Sequence, residues 1–531
     1  MFIIKSSRKR GLALNEPLRH ESHRKPVSRR DFIAQGFLTG SASVMAPAAL
    51  GMLLKSRAAE AGPLATTPTL GGMRTFCDIT GGNGKIPFIA FDLAGGSNIV
   101  GSNVLVGKKG GQLDFLTTQG YSKQGLPGDM LPTDPAFVNQ EYGLAFHADS
   151  PFLRGMNSKT SITTRAMVNG FVIPARSEND TSNNPHNPMY YIAKAGAKGE
   201  LLTLIGSQNS DSGGNSMAPS MLMDPANRPT KVDRASDVTG LVDTGDVANI
   251  LSASDTSEVL QSMVRVSDLK SDKVSTQLLT DAETKKRYGC SYVKTADTVS
   301  KFSDPQALNP GQDPKITAIF GANFGNDNEF QKTASVMKLV VQGNAGAGTI
   351  TIGGCDYHTG DRMTGERRDF RTGQSIGAVL EYAAQQTPPT PVFIYVFSDG
   401  SLSSNGMVDN STDGRGKGVW TGDNQQTAAA FVLVYNPTRK PTLLAEDGIP
   451  IERRQQLGYF RPDGDVETAG SPAANNVNLL VQTVALNYMA LHGEDANFSS
   501  TFAGQGLGDS TAQRAMVALT PICNGKITTP V

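Results

Sequence analysis

Short apolar runs that end in polar turns are the clearest pattern along this chain. Residues 87–93 read Pro-Phe-Ile-Ala-Phe-Asp-Leu and stop at an Ala-Gly-Gly-Ser-Asn turn. Residues 349–352 and 392–397 follow the same plan, and Ala429–Tyr435 is a fourth such run. Unbroken apolar runs of this length predict buried strands that end at loops.

Helical spacing of apolar residues separates the second of these runs from the third. Ile376, Val379, Leu380 and Ala383 recur at that spacing, and two prolines at 388–389 stop the pattern. Strand, helix and strand in this order predict an α/β fold with a largely parallel or mixed central sheet and helices on both faces.

Two further segments complete the predicted organisation. Residues 477–491 predict a long helix that ends at His492-Gly493. Residues 201–313 are polar and rich in Ser and Asp, and a capping box at 255–258 predicts a helix within them. We interpret 201–313 as a polar helical insertion or cap on one domain that spans residues 62–531.

The first 61 residues predict a twin-arginine signal peptide. Residues 28–33 read Ser-Arg-Arg-Asp-Phe-Ile, a weakly apolar run rich in Gly and Ala covers 36–54, and Ala-Glu-Ala at 59–61 fits a peptidase site. The alternative is an uncleaved membrane anchor. Glycines and a proline interrupt the run, and Lys55 and Arg57 follow it, which argues against an anchor.

This signal predicts the route and the destination of the protein. Its expected partners are the twin-arginine translocase and the signal peptidase, and its expected location is the periplasm or the medium, with no stable membrane span after cleavage. The route carries proteins that are already folded, often with a cofactor or metal inserted, so a metal site is a reasonable thing to seek.

Charge excludes two classes of partner. The chain has 49 basic and 49 acidic residues, and the predicted signal holds 11 of the basic and four of the acidic ones. The remainder carries 38 basic and 45 acidic residues, a net charge near −7. That balance provides no excess of basic residues to bind nucleic acid and no cationic face to bind anionic lipid.

Four cysteines, at 77, 290, 355 and 523, are widely separated and contain no Cys-x-x-Cys spacing. A zinc knuckle and a thioredoxin-like centre are therefore excluded. In an oxidising compartment Cys77 and Cys523, near the two ends of the mature chain, could be joined. Buried free thiols are the alternative.

Acidic residues and one histidine follow the ends of the predicted strands. Carboxylates at several strand ends meet at one edge of a parallel sheet, where they can bind a divalent cation. Zinc, manganese or calcium would suit such ligands, and no motif for a nucleotide or redox cofactor is evident. Ordinary turn-forming aspartates are the alternative. The candidate metal ligands are Asp92, Asp356, His358, Asp399 and Asp423.

Other polar loops are less informative. His186 stands in the proline-stiffened loop at 183–188 and faces either a site or the solvent. The Ser-Gly-Gly-Asn-Ser loop at 212–216 lacks the Gly-x-Ser-x-Gly spacing of a hydrolase elbow, and no Ser-His-Asp triad can be assembled.

Four segments resemble an exported bacterial family, domain-of-unknown-function family 1501, which is similar to the alkaline phosphatase and sulfatase superfamily. Residues 93–98 resemble its Leu-x-Gly-Gly-x-Asp segment, and residues 354–358 resemble its Gly-x-Asp-Thr-His signature. Residues 397–400 are similar to its Ser-Glu-Phe-Gly turn, and residues 418–424 fall where it has Gly-Thr-Asp-His-Gly.

The resemblance implies a metal centre at the strand ends, where paired metals hold a phosphate or sulfate ester while a hydroxyl attacks. Ser97 is near the expected edge and is the candidate nucleophile. Asn98 replaces an Asp and Asn424 replaces a His of the family pattern, which lowers the charge and donor strength of a site. Two hypotheses follow: a metal-dependent hydrolase of phosphate or sulfate esters, and a non-catalytic binding or assembly protein that keeps the fold.

Overall fold

The computed structural model describes residues 82–177, 184–243, 304–322 and 324–531, together with Cys77 and scattered positions from 255 to 302. The chain divides into two units, Met1–Pro68 and Thr69–Val531. The first unit, and with it the predicted twin-arginine signal, lies outside the described residues. The second unit is described below.

A seven-stranded sheet forms the centre of the second unit. Three two-stranded ribbons, β2–β3, β9–β10 and β12–β13, lie outside this sheet. The described strands are β1 (Phe88–Leu93), β2 (Val138–Asn139), β3 (Phe146–His147), β4 (Val168–Pro174), β5 (Leu202–Gly206), β6 (Thr230–Lys231), β7 (Ala345–Ile352), β8 (Val392–Ser398), β9 (Leu402–Asp409), β10 (Lys417–Asp423), β11 (Ala429–Tyr435), β12 (Cys523–Asn524) and β13 (Lys526–Pro530). The order in the sheet is β4-β11-β8-β1-β7-β5-β6. β1, β5, β6, β7 and β8 pair in parallel, and β11 is antiparallel to both of its neighbours.

Helices cover this sheet on both faces. They are α1 (Thr118–Lys123), α2 (Pro151–Asn157), α3 (Ile162–Ala166), α4 (Met189–Lys194), α5 (Ala235–Gly240), α6 (Pro314–Phe320), α7 (Asn328–Val341), α8 (Met363–Ala384), α9 (Val477–Leu491), α10 (Phe498–Thr501) and α11 (Ser510–Ala515). Within the described part of the chain, no helix is both long enough and apolar enough to span a bilayer.

Alternation along the central strands builds two separate cores. In β1, Ile89 and Phe91 join the core that α2, α7 and α8 complete, and Phe88 and Ala90 join the core that α4 and α9 complete. Successive side chains of a strand point to opposite faces, so a strand buried on both faces must be apolar throughout. The predicted α/β fold with a covered central sheet is therefore confirmed.

Glycines allow α8 to pack directly against α2. A β-carbon on Gly373 would lie 2.2 Å from the main-chain oxygen of Phe152, and one on Gly155 would lie 2.2 Å from that of Phe370. The absence of side chains at these positions brings the two backbones together. This packing fixes α8, the helix that follows the loop after β7.

A network of charged side chains is buried under the β9–β10 ribbon. The Nζ atom of Lys417 donates to Oε1 of Glu366 at 2.8 Å and lies 3.1 Å from Oδ2 of Asp149. Arg362 donates to the same oxygen of Glu366 through Nε and Nη2, at 3.0 and 2.9 Å. Burial of charge is tolerated here because each charge has an opposite partner.

Two parts of the predicted organisation differ from the structure, and a third agrees with it at the described positions. Residues 202–206 and 230–231 form β5 and β6, so this part of the predicted insertion belongs to the sheet. The described positions 255, 259, 263 and 266 are helical, as the capping box predicted, but most of 244–303 lies outside the described residues. The strand β4 was not predicted.

Cys77 does not pair with Cys523, a pairing that the sequence left open. Cys77 forms a disulfide with Cys290. Cys355 and Cys523 are free and buried, as the alternative prediction had it for a small apolar thiol. Cys523 lies in the core beside α9, where its Sγ atom is 3.7 Å from the main-chain oxygen of Leu491.

Candidate metal centre

Three potential metal ligands converge at the carboxyl edge of the central sheet. Asp356 and His358 lie in the loop that follows β7, and Asp423 is the last residue of β10. Because β11 runs antiparallel to β8, the segment that precedes it reaches the edge where β1, β7 and β8 end. One ligand atom from each of the three side chains lies within 4.8 Å of the other two. We call Asp356, His358 and Asp423 the candidate metal centre.

The imidazole of His358 lies close to both carboxylates of the candidate metal centre. Its Nδ1 atom lies 2.5 Å from Oδ1 of Asp356 and 3.1 Å from Oδ1 of Asp423. The atom is shielded from solvent, yet neither contact has the geometry of a hydrogen bond. The Nδ1 atom of His358 is thus the point at which the two carboxylates come together.

The donor set fits a divalent cation. Two carboxylates and one imidazole suit zinc or manganese. The side chains of Asp356, His358 and Asp423 are 53%, 39% and 49% exposed, so further coordination positions would face the solvent. Three protein ligands with open positions are typical of catalytic metal sites, whereas structural sites are closed.

Asp92 lies at the same edge but is fully buried and heavily hydrogen-bonded. Its Oδ2 atom accepts from the main-chain N–H groups of Asn215 and Ser216 at 2.7 and 2.8 Å, and its Oδ1 atom accepts from the Ser216 hydroxyl at 2.9 Å. A β-carbon on Gly214 would lie 2.6 Å from Oδ2, so this close approach requires glycine. Burial raises the pKa of Asp92 to about 7, and the Asp399 carboxylate adds to the rise.

Asp399 is buried beside Asp92, and Asn215 bridges the two carboxylates. The Oδ1 atom of Asp399 accepts from the main-chain N–H of Gly95 at 3.0 Å, and its Oδ2 atom accepts from Nδ2 of Asn215 at 3.2 Å. Amide donors thus occupy the space between Asp92 and Asp399. In the described residues these two carboxylates join no three-ligand cluster.

The structure therefore brings three of the five predicted ligands together and places the other two in a separate buried pair. Gly95 separates the two groups, because it donates to Asp399 while its Cα packs against Asp356. The paired cations that the resemblance implies would need the oxygens of Asp92 and Asp399, and these are engaged by the 212–216 loop and by Gly95. The residues present fit one cation at the candidate metal centre.

Ser97, the predicted nucleophile, is buried in a hydrogen-bond network. Its Oγ atom lies 2.8 Å from the Tyr357 hydroxyl and 3.1 Å from Oδ1 of Asp369, and only 1% of the residue is exposed. Asn103 donates to Oδ2 of Asp369 at 2.8 Å. Burial raises the pKa of Asp369 to about 7. We call Ser97, Asn103, Tyr357 and Asp369 the buried tyrosine network.

The remaining histidines of the predicted mature chain are buried in the core. His186 stacks on Phe397, and burial lowers its pKa to about 3. His492 accepts from the main-chain N–H of Ile86 at 3.0 Å, and burial lowers its pKa to about 3 as well. The pKa of His147 falls to about 4 for the same reason. These rings stay neutral at physiological pH, and His186 does not face the solvent.

Asn98 and Asn424, which stand where the family pattern has Asp and His, form hydrogen bonds to the backbone of nearby loops and strands. Asn98 donates from Nδ2 to the main-chain oxygen of Leu402 at 2.6 Å. Asn424 caps the turn that follows β10, where its Oδ1 atom accepts from the N–H of Gln426 at 2.8 Å. The Asn98 contact requires a donor, which an amide supplies and a carboxylate does not, and both side chains support local loop structure.

Sequence reasoning missed Asn215, Tyr357 and Asp369. Asn215 stands in the Ser-Gly-Gly-Asn-Ser loop, and Tyr357 stands between two predicted ligands. Asp369 sits in a helix full of charged residues, so nothing distinguishes it in the sequence. What distinguishes Tyr357 is its burial: its side chain is 0% exposed although it stands between two exposed ligands. That burial is visible only in the structure.

Comparison with known proteins adds no relative. No protein-family model matches the chain, no curated protein matches it, and no solved structure matches it. The likeness to family 1501 and to the alkaline phosphatase superfamily remains an expectation that rests on the four motifs.

Proposed function

We propose that this protein binds one divalent cation at the candidate metal centre and uses it to hydrolyse phosphate or sulfate esters outside the cytoplasm. The observation that carries the proposal is the convergence of Asp356, His358 and Asp423 within 4.8 Å at the carboxyl edge of the sheet. Open α/β sheets bind their ligands at this edge.

The partial exposure of the three ligands supports a catalytic role over a structural one. A cation bound here would supply Lewis acidity and offset negative charge that develops on ester oxygens. Asp356 would hold the cation from the loop after β7 and Asp423 from the end of β10, and His358 would add a neutral nitrogen. The buried Ser97 is not placed to act as nucleophile, so we propose that water is the attacking group.

Metal titration of matched variants tests the cation site. Isothermal titration with zinc or manganese should give one site per chain in the wild-type protein. Asp423→Asn and His358→Ala should weaken binding by at least tenfold, because each removes one of three ligands. Asp413→Asn is the control, since Asp413 is 48% exposed in the same ribbon and lies outside the centre. Equal affinities in Asp423→Asn and Asp413→Asn would contradict the proposal.

Turnover is tested separately with aryl phosphate and aryl sulfate esters. The metal-loaded wild-type protein should hydrolyse at least one of the two classes, and His358→Ala should lose that activity. The second candidate function, non-catalytic binding, is favoured by one observation: the Ser97 hydroxyl is buried between Tyr357 and Asp369. A protein that binds metal stoichiometrically but turns over neither ester would support this second function.

Export is a further part of the proposal. The arginine pair at 29–30 should direct the folded protein through the twin-arginine translocase. Replacing both arginines with lysine keeps the charge, and we expect the precursor to accumulate in the cytoplasm. Unchanged export of this variant would contradict the assigned route.

A further inference from the structure

We propose that Tyr357 and Asp369 are positioning residues of the candidate metal centre, and that they hold Asp356 and His358 in place from the buried side of the loop. The inference rests on the proposed function, because it concerns the ligands of that cation. Tyr357 and Asp369 would not bind the metal themselves. They would act through the backbone that joins Asp356 to His358.

Tyr357 is the residue between the two ligands of the loop, and its environment is opposite to theirs. Its side chain is fully buried, whereas those of Asp356 and His358 are 53% and 39% exposed. Two exposed side chains on a loop hold a fixed geometry only if the loop is anchored. Tyr357 is that anchor, since its ring enters the core while its neighbours face out.

The hydroxyl of Tyr357 makes the anchor specific. It lies 2.9 and 3.0 Å from the two carboxylate oxygens of Asp369, and it accepts from the main-chain N–H of Asn98 at 3.1 Å. The Ser97 hydroxyl is 2.8 Å away. The loop after β7 is thereby bonded to the loop after β1 and to α8.

Asp369 is itself fixed on every side. It projects from α8, the helix packed backbone to backbone against α2, and it accepts from Nδ2 of Asn103 at 2.8 Å. Only 1% of it is exposed. Because the Asp369 carboxylate is held on a fixed helix, it determines the position of the Tyr357 hydroxyl. The backbone positions of the flanking residues Asp356 and His358 follow from it.

The same tyrosine also contacts the strand that carries the third ligand. Its ring centroid lies 6.4 Å from that of Trp420 in β10, and Asp423 ends that strand. The loop is bonded to β10 as well, because the N–H of Gly360 donates to the main-chain oxygen of Trp420 at 3.1 Å. Tyr357 thus links all three ligands of the centre. Removal of such supporting partners typically lowers metal affinity by about 10–100-fold.

Tyr357→Phe tests the inference, because it keeps the ring and removes only the hydroxyl. Tyr395→Phe is the matched control, since Tyr395 is a fully buried tyrosine of β8 whose hydroxyl has no hydrogen-bond partner among the described residues. We expect the dissociation constant for manganese to rise by about 10–100-fold in Tyr357→Phe and to stay within twofold of wild type in Tyr395→Phe. The visible absorption spectrum of the cobalt-loaded protein should change in Tyr357→Phe alone.

Asp369→Asn provides a second variant in case Tyr357→Phe does not fold. It retains an acceptor oxygen for the tyrosine, so we expect a rise in the dissociation constant smaller than that of Tyr357→Phe. A wild-type dissociation constant and cobalt spectrum in both variants would overturn the inference while leaving the proposed function intact. A wild-type protein that binds neither manganese nor cobalt would overturn the proposed function and this inference with it.

Discussion

A β-carbon on Gly95 would lie 2.3 Å from the main-chain nitrogen of Asp356. The turn after β1 therefore packs directly against the first ligand of the candidate metal centre. Gly95 also has a φ of 129°, a backbone conformation that side-chain-bearing residues rarely adopt. Steric space and backbone angle both require glycine at this position.

Gly95→Ala should destabilise the protein and weaken metal binding together. The new methyl group must displace the backbone of Asp356, and the strained φ adds a cost of about 1–3 kcal/mol. Gly353→Ala is the control, because a β-carbon there would meet nothing within 4 Å. Urea unfolding should show a lower midpoint for Gly95→Ala and little change for the control. Coincident unfolding curves for the two variants would contradict the packing described here.

The contribution of Asp92 and Asp369 to the stability of the metal-free protein should fall as the pH rises from about 4 to about 7. Burial raises the pKa of Asp92 from 3.8 to about 7, and that of Asp369 by a similar amount. The folded state therefore holds these protons more tightly than the unfolded state. Their contribution to stability is complete below pH 4 and is lost as the pH passes through 7.

Asp92→Asn should remove part of this pH dependence. The amide oxygen can accept from the N–H groups of Asn215 and Ser216, and the amide nitrogen can donate to the Ser216 hydroxyl. Relative to wild type, the variant should gain stability between pH 4 and pH 8, by up to about 4 kcal/mol. Denaturant unfolding at both pH values measures the gain. A constant difference between the two proteins would show that Asp92 titrates normally.

Lys417→Met should be costly because it breaks the buried charge network. Removal of the ammonium leaves Glu366 and Asp149 with fewer counter-charges at a site where Lys417 is 0% exposed. We expect a loss of about 3 kcal/mol in the free energy of unfolding. Arg367→Met is the control, since its pair with Asp413 is largely exposed and should contribute less than about 1 kcal/mol. Similar losses in the two variants would contradict this assignment.

Thiol titration and peptide mapping distinguish the Cys77–Cys290 disulfide from the Cys77–Cys523 pairing that the sequence left open. The native protein should react slowly, because Cys355 and Cys523 are buried and burial raises the pKa of both thiols. Unfolding without reductant should release two reactive thiols. Peptide mapping should then join Cys77 to Cys290. A peptide that joins Cys77 to Cys523 would refute this pairing.

The central sheet was predictable from sequence because its strands are apolar on both faces. The predicted runs at 87–93 and 392–397 match β1 and β8 within one residue. β4 was missed because Val168–Pro174 includes Asn, Gly and Pro, and tertiary packing overrides those propensities. β5 is short and lies within polar sequence, so it was assigned to the insertion.

The site was predictable only as far as strand topology determines it. Parallel strands bring their carboxyl ends to one edge, so Asp92, Asp356 and Asp399 were expected near each other. Their division into a buried pair and an exposed centre depends on Asn215. This residue lies in a loop more than a hundred residues from Asp92 along the chain. Spacing along a sequence carries no information about such a contact.

The solvent exposure of Asp356, His358 and Asp423 has a kinetic consequence. An ion held by side chains that water can reach exchanges with its surroundings without any need for the polypeptide to open. Occupancy would then follow the free concentration of each cation around the protein, and a chelator added to the folded protein would remove the ion without unfolding it. The identity of the ion would be decided by the local supply of cations as much as by loading during synthesis.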